Sequence, residues 1–332
     1  MKTKLYLFLV TILTVSIIFL TFISNDDRTP VKIGVVMIGD GRHEKLTGLQ
    51  KGMQELGYHK GDVKYVVKSA HDNEEVLDTK INELIKGKPA LIVTLGGIET
   101  LKLKEKMEQQ HIKIPVVFAG VAAPKEMGII KDYRLPGGLF TGINNYHTNL
   151  SGKRLELFHD LVPSIQRFHI LYDENIEVSK LSLENTKQAS EKLSLKILPC
   201  NVSDPSFKSK LKGSLQKNDA LLILPGFRME SLTKEMAQFS RDNKVPAMGI
   251  YEQEAGVLAS YGASFFDQGY QAARFVSLII QGNSPAEIPV ELPDRFRFIV
   301  NQHVKNELGI ELNKNLIHIP DFIISEDGEV NP

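Results

Sequence analysis

The chain has 332 residues, of which 40 are Lys or Arg and 40 are Asp or Glu, so its formal net charge at pH 7 is zero. This length is about twice that of a usual single domain and predicts two domains, each able to bury its own core. The neutral balance lacks the basic surface expected of a nucleic-acid-binding protein. Cys200, as the only cysteine, excludes an internal disulfide and a cysteine metal cluster.

An apolar segment near the N-terminus indicates export. Residues 5–23 contain no charged side chain, two lysines precede them and two aspartates follow them. At about 1.5 Å per residue, the segment approaches the roughly 30 Å of a bilayer core and is longer than the apolar part of an ordinary signal peptide. We therefore expect residues 1–29 to form a signal or anchor segment, with an uncleaved anchor favoured. The rest would lie in the periplasm or on the outer face of the inner membrane.

Apolar strands alternate with amphipathic helices along the remaining chain, and the pattern occurs twice. The predicted strands of the first half are 31–38, 63–67, 90–95 and 114–119. Those of the second half are 167–172, 195–198, 220–224 and 247–250. Continuous apolar runs such as Ala90–Leu95 are typical of parallel strands that are covered on both faces. The sequence thus predicts an α/β protein with two doubly wound parallel-sheet lobes and a cleft between them.

The chain is predicted to cross between the lobes three times. Phe140–Asn144 marks the first crossing, and the chain returns after Leu258–Gly262 with a helix to about Ile280 and a last strand over 296–300. The predicted units are lobe one (31–143 plus 262–300), lobe two (144–261) and a C-terminal segment (301–332). Three short connections predict a hinge that opens and closes the cleft.

Seven short segments stand in a distinctive order and spacing. They are Lys32–Val36, Glu55–Tyr58, Ile114–Ala119, Leu135–Ile143, Lys244–Gly249, Gly256–Gly262 and Pro285–Pro289. In this arrangement the chain resembles the substrate-binding proteins of ABC transporters, among them tryptophan- and tyrosine-type uptake proteins. The resemblance implies a type I periplasmic-binding-protein fold and a small-molecule ligand held between the lobes, with an aromatic or branched amino acid as the best expectation. It further implies a monomer that works with ABC permease and ATPase subunits.

The chain departs from the family pattern at three strand ends. Gly96–Ile98 replaces a hydroxyl-bearing segment, Tyr172–Glu174 replaces an Asn-Pro segment, and Gly226–Arg228 replaces a polar one. The apolar N-terminal segment also lacks a following cysteine that would carry a lipid. These departures do not change the predicted fold, but with them the resemblance does not assign the family's ligand to this chain. They also keep an alternative function open, a membrane-tethered sensor or accessory ligand-binding module that is not coupled to uptake.

Candidate site residues follow the strands, because open parallel sheets bind ligands at the carboxyl ends of their strands. In lobe one, the backbone N–H groups of Gly96, Gly97 and Ile98 begin a helix and suit a ligand carboxylate. The alternative is a tight turn that only packs. The neighbouring lobe-one loops add Gly41, Arg42, Gly120 and Val121 as candidates.

Lobe two offers groups for the rest of an amino acid, which needs an anion for its ammonium group and apolar walls for its side chain. Asp173 or Glu174 ends the first strand of this lobe and suits the ammonium group, unless it only caps the next helix. Phe227, Arg228 and Tyr251 follow two further strands, where an aromatic ring stacks on a planar ligand and an arginine binds a carboxylate. For the arginine, an orientation towards solvent is the alternative.

Enzyme motifs are weak or absent in this sequence. Gly39–Glu44 begins like a dinucleotide-binding loop, but Glu44 stands where the third glycine is required. The chain has no phosphate-binding P-loop, no H-E-x-x-H pair and no G-x-S-x-G elbow, and its nine histidines are scattered. The sequence therefore predicts a binding protein without catalytic residues, cofactor or metal site.

Overall fold

The structure is a computed structural model that describes residues 29–251, 256–316, 319–325 and 330–331. Residues 1–28, which contain most of the predicted signal or anchor segment, lie outside this part of the chain. Among the helices of the described ranges, none has the length and apolarity needed to cross a membrane.

The first sheet has five parallel strands. They are β1 (Val31–Met37), β2 (Val63–Ser69), β3 (Leu91–Thr94), β4 (Val116–Val121) and β5 (Phe140–Asn144). The connecting helices are α1 (His43–Glu55), α2 (Glu74–Lys86) and α3 (Gly97–Gln109). The strand order is β2-β1-β3-β4-β5, so the winding reverses beside β1. Such a reversal leaves a crevice at the carboxyl ends of β1 and β3, where ligands bind in open α/β sheets.

The second sheet has eight strands in the described part of the chain. They are β6 (Arg167–Tyr172), β7 (Lys196–Asn201), β8 (Asp219–Ile223), β9 (Ala247–Gly249), β10 (Ala259–Gly262), β11 (Arg297–Asn301), β12 (Phe322–Ile324) and β13 (Val330–Asn331). The remaining helices are α4 (Ser151–Leu161), α5 (Glu177–Leu193), α6 (Phe207–Ser214), α7 (Phe227–Asp242), α8 (Phe265–Ile280) and α9 (Gln302–Leu308). The parallel part, β7-β6-β8-β9-β10, repeats the order of the first sheet and has its own crevice beside β6.

The predicted α/β architecture of two doubly wound lobes with three crossovers is confirmed. The crossovers are residues 145–150, 263–264 and 281–296, each lying between an element of one lobe and an element of the other. Because the two crevices belong to sheets of the same winding, the carboxyl ends of both can face a single cleft.

One strand lies in a different sheet from the one expected. Residues 262–300 were predicted to complete lobe one, but β11 pairs antiparallel with β10 in the second sheet. The apolar alternation over 296–300 suits either sheet, and only a partner distant in sequence decides between them. The C-terminal residues continue the same sheet, because β12 pairs with β11. The other predicted domain boundaries stay predictions.

Helix α8 packs in lobe one although the strands before and after it belong to the second sheet. It lies against α1, where two glycines permit a close approach. A Cβ at Gly48 would stand 2.1 Å from the carbonyl oxygen of Phe266, and one at Gly52 would stand 2.6 Å from that of Tyr270. Phe275 joins the apolar core between α8 and the first sheet. This packing fixes both ends of α8, and therefore the points at which one crossover enters lobe one and another leaves it.

A charged cluster joins the first residues of β6 and β8. Arg167 lies opposite Asp219, and its Nε and Nη2 donate to the two carboxylate oxygens at 2.7 and 2.6 Å. His169 Nε2 lies 2.9 Å from Asp219 Oδ2. Burial raises the pKa of Asp219, but the hydrogen bonds from Arg167 and His169 outweigh burial and hold this pKa below its ordinary value.

We expect Asp219→Asn to lower the free energy of unfolding at pH 7 by about 2–3 kcal/mol, because charge-assisted hydrogen bonds are lost. Since the folded-state pKa is lowered, the stabilisation is complete above the unfolded-state value of about 3.9 and disappears as the pH falls through the folded-state value. Urea unfolding followed by circular dichroism should show a smaller effect of the substitution at about pH 3 than at pH 7. Asp242→Asn, at an exposed position, is the control. An equal effect at both pH values contradicts this account.

Candidate ligand-binding site

A cavity of about 780 Å³ lies between the lobes. Its lining residues come from the carboxyl ends of the five strands of lobe one, and the segments after them, and from the segments that follow β6, β8 and β9 of lobe two. The cavity therefore occupies the place that the strand order of both sheets dictates.

Nine of the twelve residues proposed from the sequence line this cavity. They are Arg42, Gly96, Gly97, Ile98, Gly120, Asp173, Phe227, Arg228 and Tyr251. The rule that ligands bind beyond strand ends thus brings together residues that are up to about two hundred positions apart in the chain.

Three proposed residues lie outside the cavity lining. Gly41 is exposed on the short turn before α1. The side chain of Val121 packs into the lobe-one core instead. The exposed Glu174 faces the end of β7, where its Oε1 accepts a hydrogen bond from Ser203 Oγ at 3.1 Å.

Arg42 is buried and forms ion pairs with two carboxylates. Its Nη1 lies 2.6 and 2.7 Å from the two carboxylate oxygens of Glu99, and its Nη2 donates to Glu230 Oε2 at 2.8 Å. Burial lowers the pKa of Arg42, but the charges of Glu230 and Glu99 outweigh burial and raise this pKa above its ordinary value. The guanidinium is therefore committed to protein carboxylates and is not free to bind a ligand carboxylate on its own.

Glu99 links this arginine to the first sheet. The carboxylate is fully buried, and its Oε1 also accepts a hydrogen bond from the backbone N–H of Ile38 at 2.9 Å. Glu99 stands in the first turn of α3, where the positive end of the helix dipole favours an anion. It is thus a structural partner of Arg42, and sequence reasoning did not single it out.

Gly96 makes room for Arg42. A Cβ at this position would stand 1.5 Å from Arg42 Nη1. The space above Gly96 was expected to admit a ligand carboxylate, but in the structure the guanidinium occupies it. At Gly97 the nearest atom to an added Cβ is Met127 Cε at 3.8 Å. An added methyl group there would make only ordinary van der Waals contacts.

These two glycines should respond differently to alanine. We expect Gly96→Ala to lower the free energy of unfolding by about 3 kcal/mol, because displacing Arg42 leaves the buried Glu99 carboxylate without its cation. Gly97→Ala is the matched control and should change stability by less than about 1 kcal/mol, since only ordinary contacts form. Chemical denaturation of both variants measures the difference. Equal stabilities of the two variants would show that Arg42 relaxes freely and that its pairing is weak.

Glu230 joins the lobes across the cleft. It stands in the first turn of α7 in lobe two, and its Oε2 accepts the hydrogen bond from Arg42 of lobe one. Tyr251 Oη donates to the other oxygen of Glu230 at 3.0 Å, which orients the carboxylate towards Arg42. Phe227, also on α7, packs against the apolar core of lobe one. One ion pair and one apolar contact, both at the start of the same helix, therefore help to hold the two lobes together.

We expect Glu230→Gln to favour the open form, because the neutral amide keeps the shape but loses the ionic bond to Arg42. The loss should be about 1–2 kcal/mol for a partly buried charged hydrogen bond. Small-angle X-ray scattering should then give a larger radius of gyration than for the wild type. Glu235→Gln on the same helix is the control, since Glu235 pairs with Lys208 within lobe two. An unchanged radius for Glu230→Gln contradicts the role of Glu230 in closure.

Lys45 is a buried cation at the lobe-one side of the cavity. Its Nζ donates to the carbonyl oxygens of Ala119 and Gly120 at 2.9 and 3.5 Å and lies 4.8 Å from the ring centre of Phe265. Burial, and next the charge of Arg42, lower the pKa of Lys45 to about 7. Gly120 has φ of +90°, and a Cβ there would stand 1.7 Å from Gln268 Oε1. Both features require glycine at this position.

Aromatic rings continue the wall from Lys45 towards lobe two. Phe265 lies 4.5 Å from Tyr251 between ring centres, and Tyr251 meets His147 edge-on at 4.9 Å. His147 lines the cavity and is fully buried. Sequence reasoning missed His147 because Phe140–Asn144 was read as a crossing. Treating this segment as a strand would have directed attention to the residues directly after it.

Asp173 and Arg228 form an ion pair on the lobe-two side. Arg228 Nε lies 2.8 Å from Asp173 Oδ2, and the arginine is half exposed while the carboxylate is buried. Asp173 Oδ1 accepts a hydrogen bond from the backbone N–H of Asn175 at 2.9 Å. The other oxygen has no directed hydrogen bond among the described residues. Asp173 thus retains capacity for a cationic ligand group.

The remaining wall combines polar residues with apolar side chains, which include Ile98, Leu101, Met127 and Ile176. Among the described residues, no cluster of His, Cys, Asp or Glu side chains is placed to hold a metal ion. The arrangement can thus enclose a small molecule that has both an apolar part and charged ends.

Comparison with known proteins places the chain in a family. The family model described as ABC transporter substrate binding protein matches residues 30–324. The chain belongs to this family. Its members are binding proteins rather than enzymes, and those of ABC importers act outside the cytoplasm.

Individual relatives are similar over most of the chain. A curated tyrosine-binding protein of Clostridioides difficile (strain R20291) is 23% identical over 295 residues, which cover 86% of this chain and 83% of that protein. A solved ABC domain from Streptococcus pneumonia in complex with L-Trp is 22% identical with a TM-score of 0.80, covering 89% of this chain and all of that one. A conserved domain protein from Vibrio cholerae gives 21% identity and a TM-score of 0.79 with the same coverages. These likenesses support the type I fold of this ABC substrate-binding protein.

Proposed function

We propose that this substrate-binding protein captures a free amino acid with an aromatic or branched side chain between its lobes and delivers it to an ABC permease. The observation that carries the proposal is the composition of the cavity wall, which combines a buried cation, a buried carboxylate and a set of apolar side chains. Its volume of about 780 Å³ falls within the range of pockets that enclose small molecules.

The charged groups suit the two ends of an amino acid. Asp173 offers a carboxylate oxygen to the ammonium group, and exposed carboxylates of the lining, such as Glu74, Glu126 and Glu177, add negative potential near the rim. Lys45 supplies a buried positive charge for a carboxylate. A zwitterion satisfies both ends at once and brings no net charge into the cleft, which limits the cost of its desolvation.

The apolar side chains suit a large amino-acid side chain. Ile98, Leu101 and Met127 of lobe one approach from one side, and Phe227 approaches from α7 of lobe two. A branched or aromatic side chain buried among them would gain about 1.5–3 kcal/mol from the hydrophobic effect. The names of two relatives agree with this class, since one is a tyrosine-binding protein and another was solved with L-Trp.

Delivery to a permease rests on the family and on the N-terminal sequence. The family acts in ABC transport, and the apolar segment over residues 5–23 favours export, either free in the periplasm or tethered at the outer face of the inner membrane. Permease and ATPase subunits are the partners that this function requires. The alternative function, a tethered sensor, would use the same closure around a ligand.

A ligand screen tests the proposed class. The full-length protein is mixed with each of the twenty amino acids, with small peptides, nucleosides and sugars, and its thermal unfolding is recorded. A ligand at a hundred times its dissociation constant adds about 2.7 kcal/mol of stability, which is a clear shift. We expect the largest shifts from aromatic or branched amino acids. A shift from a sugar or nucleoside alone would overturn the amino-acid class.

Coupling to uptake needs a separate measurement. Reconstituted permease and ATPase subunits from the same genome should hydrolyse ATP faster when this protein and its ligand are both present. Glu230→Gln is a useful variant here, because it should bind but close less. Ligand binding without any stimulation by the protein would favour the sensor.

A further inference from the structure

His147 is held rigidly at the inner end of the cavity. It lies in the crossover between β5 and α4 and has no exposed surface. Its backbone N–H donates to Asn145 Oδ1 at 3.2 Å, and its carbonyl oxygen accepts from Arg154 Nη1 at 2.9 Å. The backbone that carries the ring is therefore held by hydrogen bonds on both sides.

Arg154 decides which ring nitrogen of His147 carries the proton. Its Nη2 lies 2.8 Å from Nδ1 of His147, and its Nε donates to the carbonyl oxygen of Tyr261 at 2.6 Å. A guanidinium only donates hydrogen bonds, so Nδ1 must accept, and the proton of the neutral ring is assigned to Nε2. Burial, and next the charges of Arg154 and Lys45, hold the pKa of His147 well below its ordinary value, so the ring is neutral at pH 7.

The Nε2–H of His147 has no partner among the described residues. A buried donor without an acceptor is rare in folded proteins, because it loses water and gains nothing in return. The remaining acceptor is one that enters the cavity from outside.

Lys45 brings a second donor to the same region. An ammonium group has three donors, and the two carbonyl oxygens described above account for two. Both side chains line the same cavity. The Phe265 ring beside Lys45 Nζ packs against Tyr251, which in turn meets the His147 ring. Together they present a neutral N–H and a cation, which suits a carboxylate better than any other group of an amino acid.

We infer that the pair formed by His147 Nε2 and Lys45 Nζ binds the ligand carboxylate. This inference rests on the proposed function and gives the ligand a direction. Its carboxylate points towards His147 and Lys45, and its ammonium group points towards Asp173. The N–H groups of Gly97 and Ile98 then face the body of the ligand and not its carboxylate.

Two substitutions at His147 separate its two nitrogens. In His147→Asn, the side-chain oxygen still reaches Arg154, but the donor at the position of Nε2 is gone. In His147→Gln, the longer amide restores a donor near that position. We expect His147→Asn to weaken binding of the amino acid about 10- to 100-fold, as for a lost hydrogen bond to a charged group, and His147→Gln to recover part of the loss.

The probes are chosen to report on the carboxylate alone. They are the amino acid with the largest shift in the screen and the amine that lacks its carboxylate, for example tryptamine for L-tryptophan. Calorimetry on the full-length protein should show that His147→Asn weakens binding of the amino acid but changes the affinity for the amine less than about 2-fold. The control is His159→Asn, since His159 lies on α4 outside the cavity and also has a buried ring nitrogen without a partner.

Lys45→Met gives an independent readout through pH. In the free protein Lys45 faces Arg42, Glu99, Glu230 and His147, and its pKa is about 7. A bound carboxylate favours the protonated form and raises this pKa. The affinity for the amino acid should therefore be highest below pH 7 and should fall by up to about 10-fold per pH unit above it. Lys45→Met should remove this slope, whereas Lys51→Met at an exposed position on the same helix should keep it.

The outcomes separate this inference from the proposed function. If no amino acid or other carboxylate in the screen binds, both are overturned. A second outcome is that an amino acid binds, but His147→Asn weakens binding of the amino acid and of the amine equally, or weakens binding of neither. The amino-acid function then stands and the carboxylate site is wrong. The inference is supported if His147→Asn selectively weakens binding of the carboxylate-bearing probe and if Lys45→Met removes the pH dependence of the affinity.

Discussion

The cleft of this protein depends on the position of one guanidinium. Arg42 follows β1, contacts Glu99 at the start of α3 and reaches Glu230 on α7, so a single side chain links both edges of the lobe-one crevice to lobe two. Burying it is tolerable only because two carboxylates surround it and Gly96 leaves room for it. The separation of the lobes, and with it the size of the cavity, therefore follows from how this ion-pair network is satisfied.

The charged groups around Arg42 balance one another. Arg42 and Lys45 are the cations, and Glu99 and Glu230 are the anions, so this group is formally neutral before any ligand arrives. Lys45 is the member without a direct carboxylate partner among the described residues, and its lowered pKa reflects that cost. A binding protein gains from such an arrangement, because a group that is incompletely satisfied in the free state has more to gain from the ligand.

Much of the fold and part of the site follow from local patterns. Apolar runs such as Leu91–Thr94 and the glycines after them indicated the strands and their ends, and the carboxyl-end rule then placed Gly97, Asp173 and Tyr251 at one cavity. The same rule failed for Gly41, Val121 and Glu174. Successive side chains of a strand point to opposite faces, and a residue that follows a strand can turn towards a neighbouring strand end instead of the cleft. The sheet that receives β11 was also beyond local reasoning, because strand pairing depends on residues far away in sequence.

By itself, the sequence determined the number of lobes, the parallel winding of each and the loops in which a ligand site could lie, because these depend on periodicity and on turn residues that act over a few positions. Only the tertiary structure decided which charges meet. The pairing of Arg42 with Glu230 spans 188 positions, and the orientation of the His147 ring depends on Arg154 and the carbonyl of Tyr261. No local pattern encodes such contacts, since their energy depends on distance, burial and hydrogen-bond geometry that exist only once the lobes are packed.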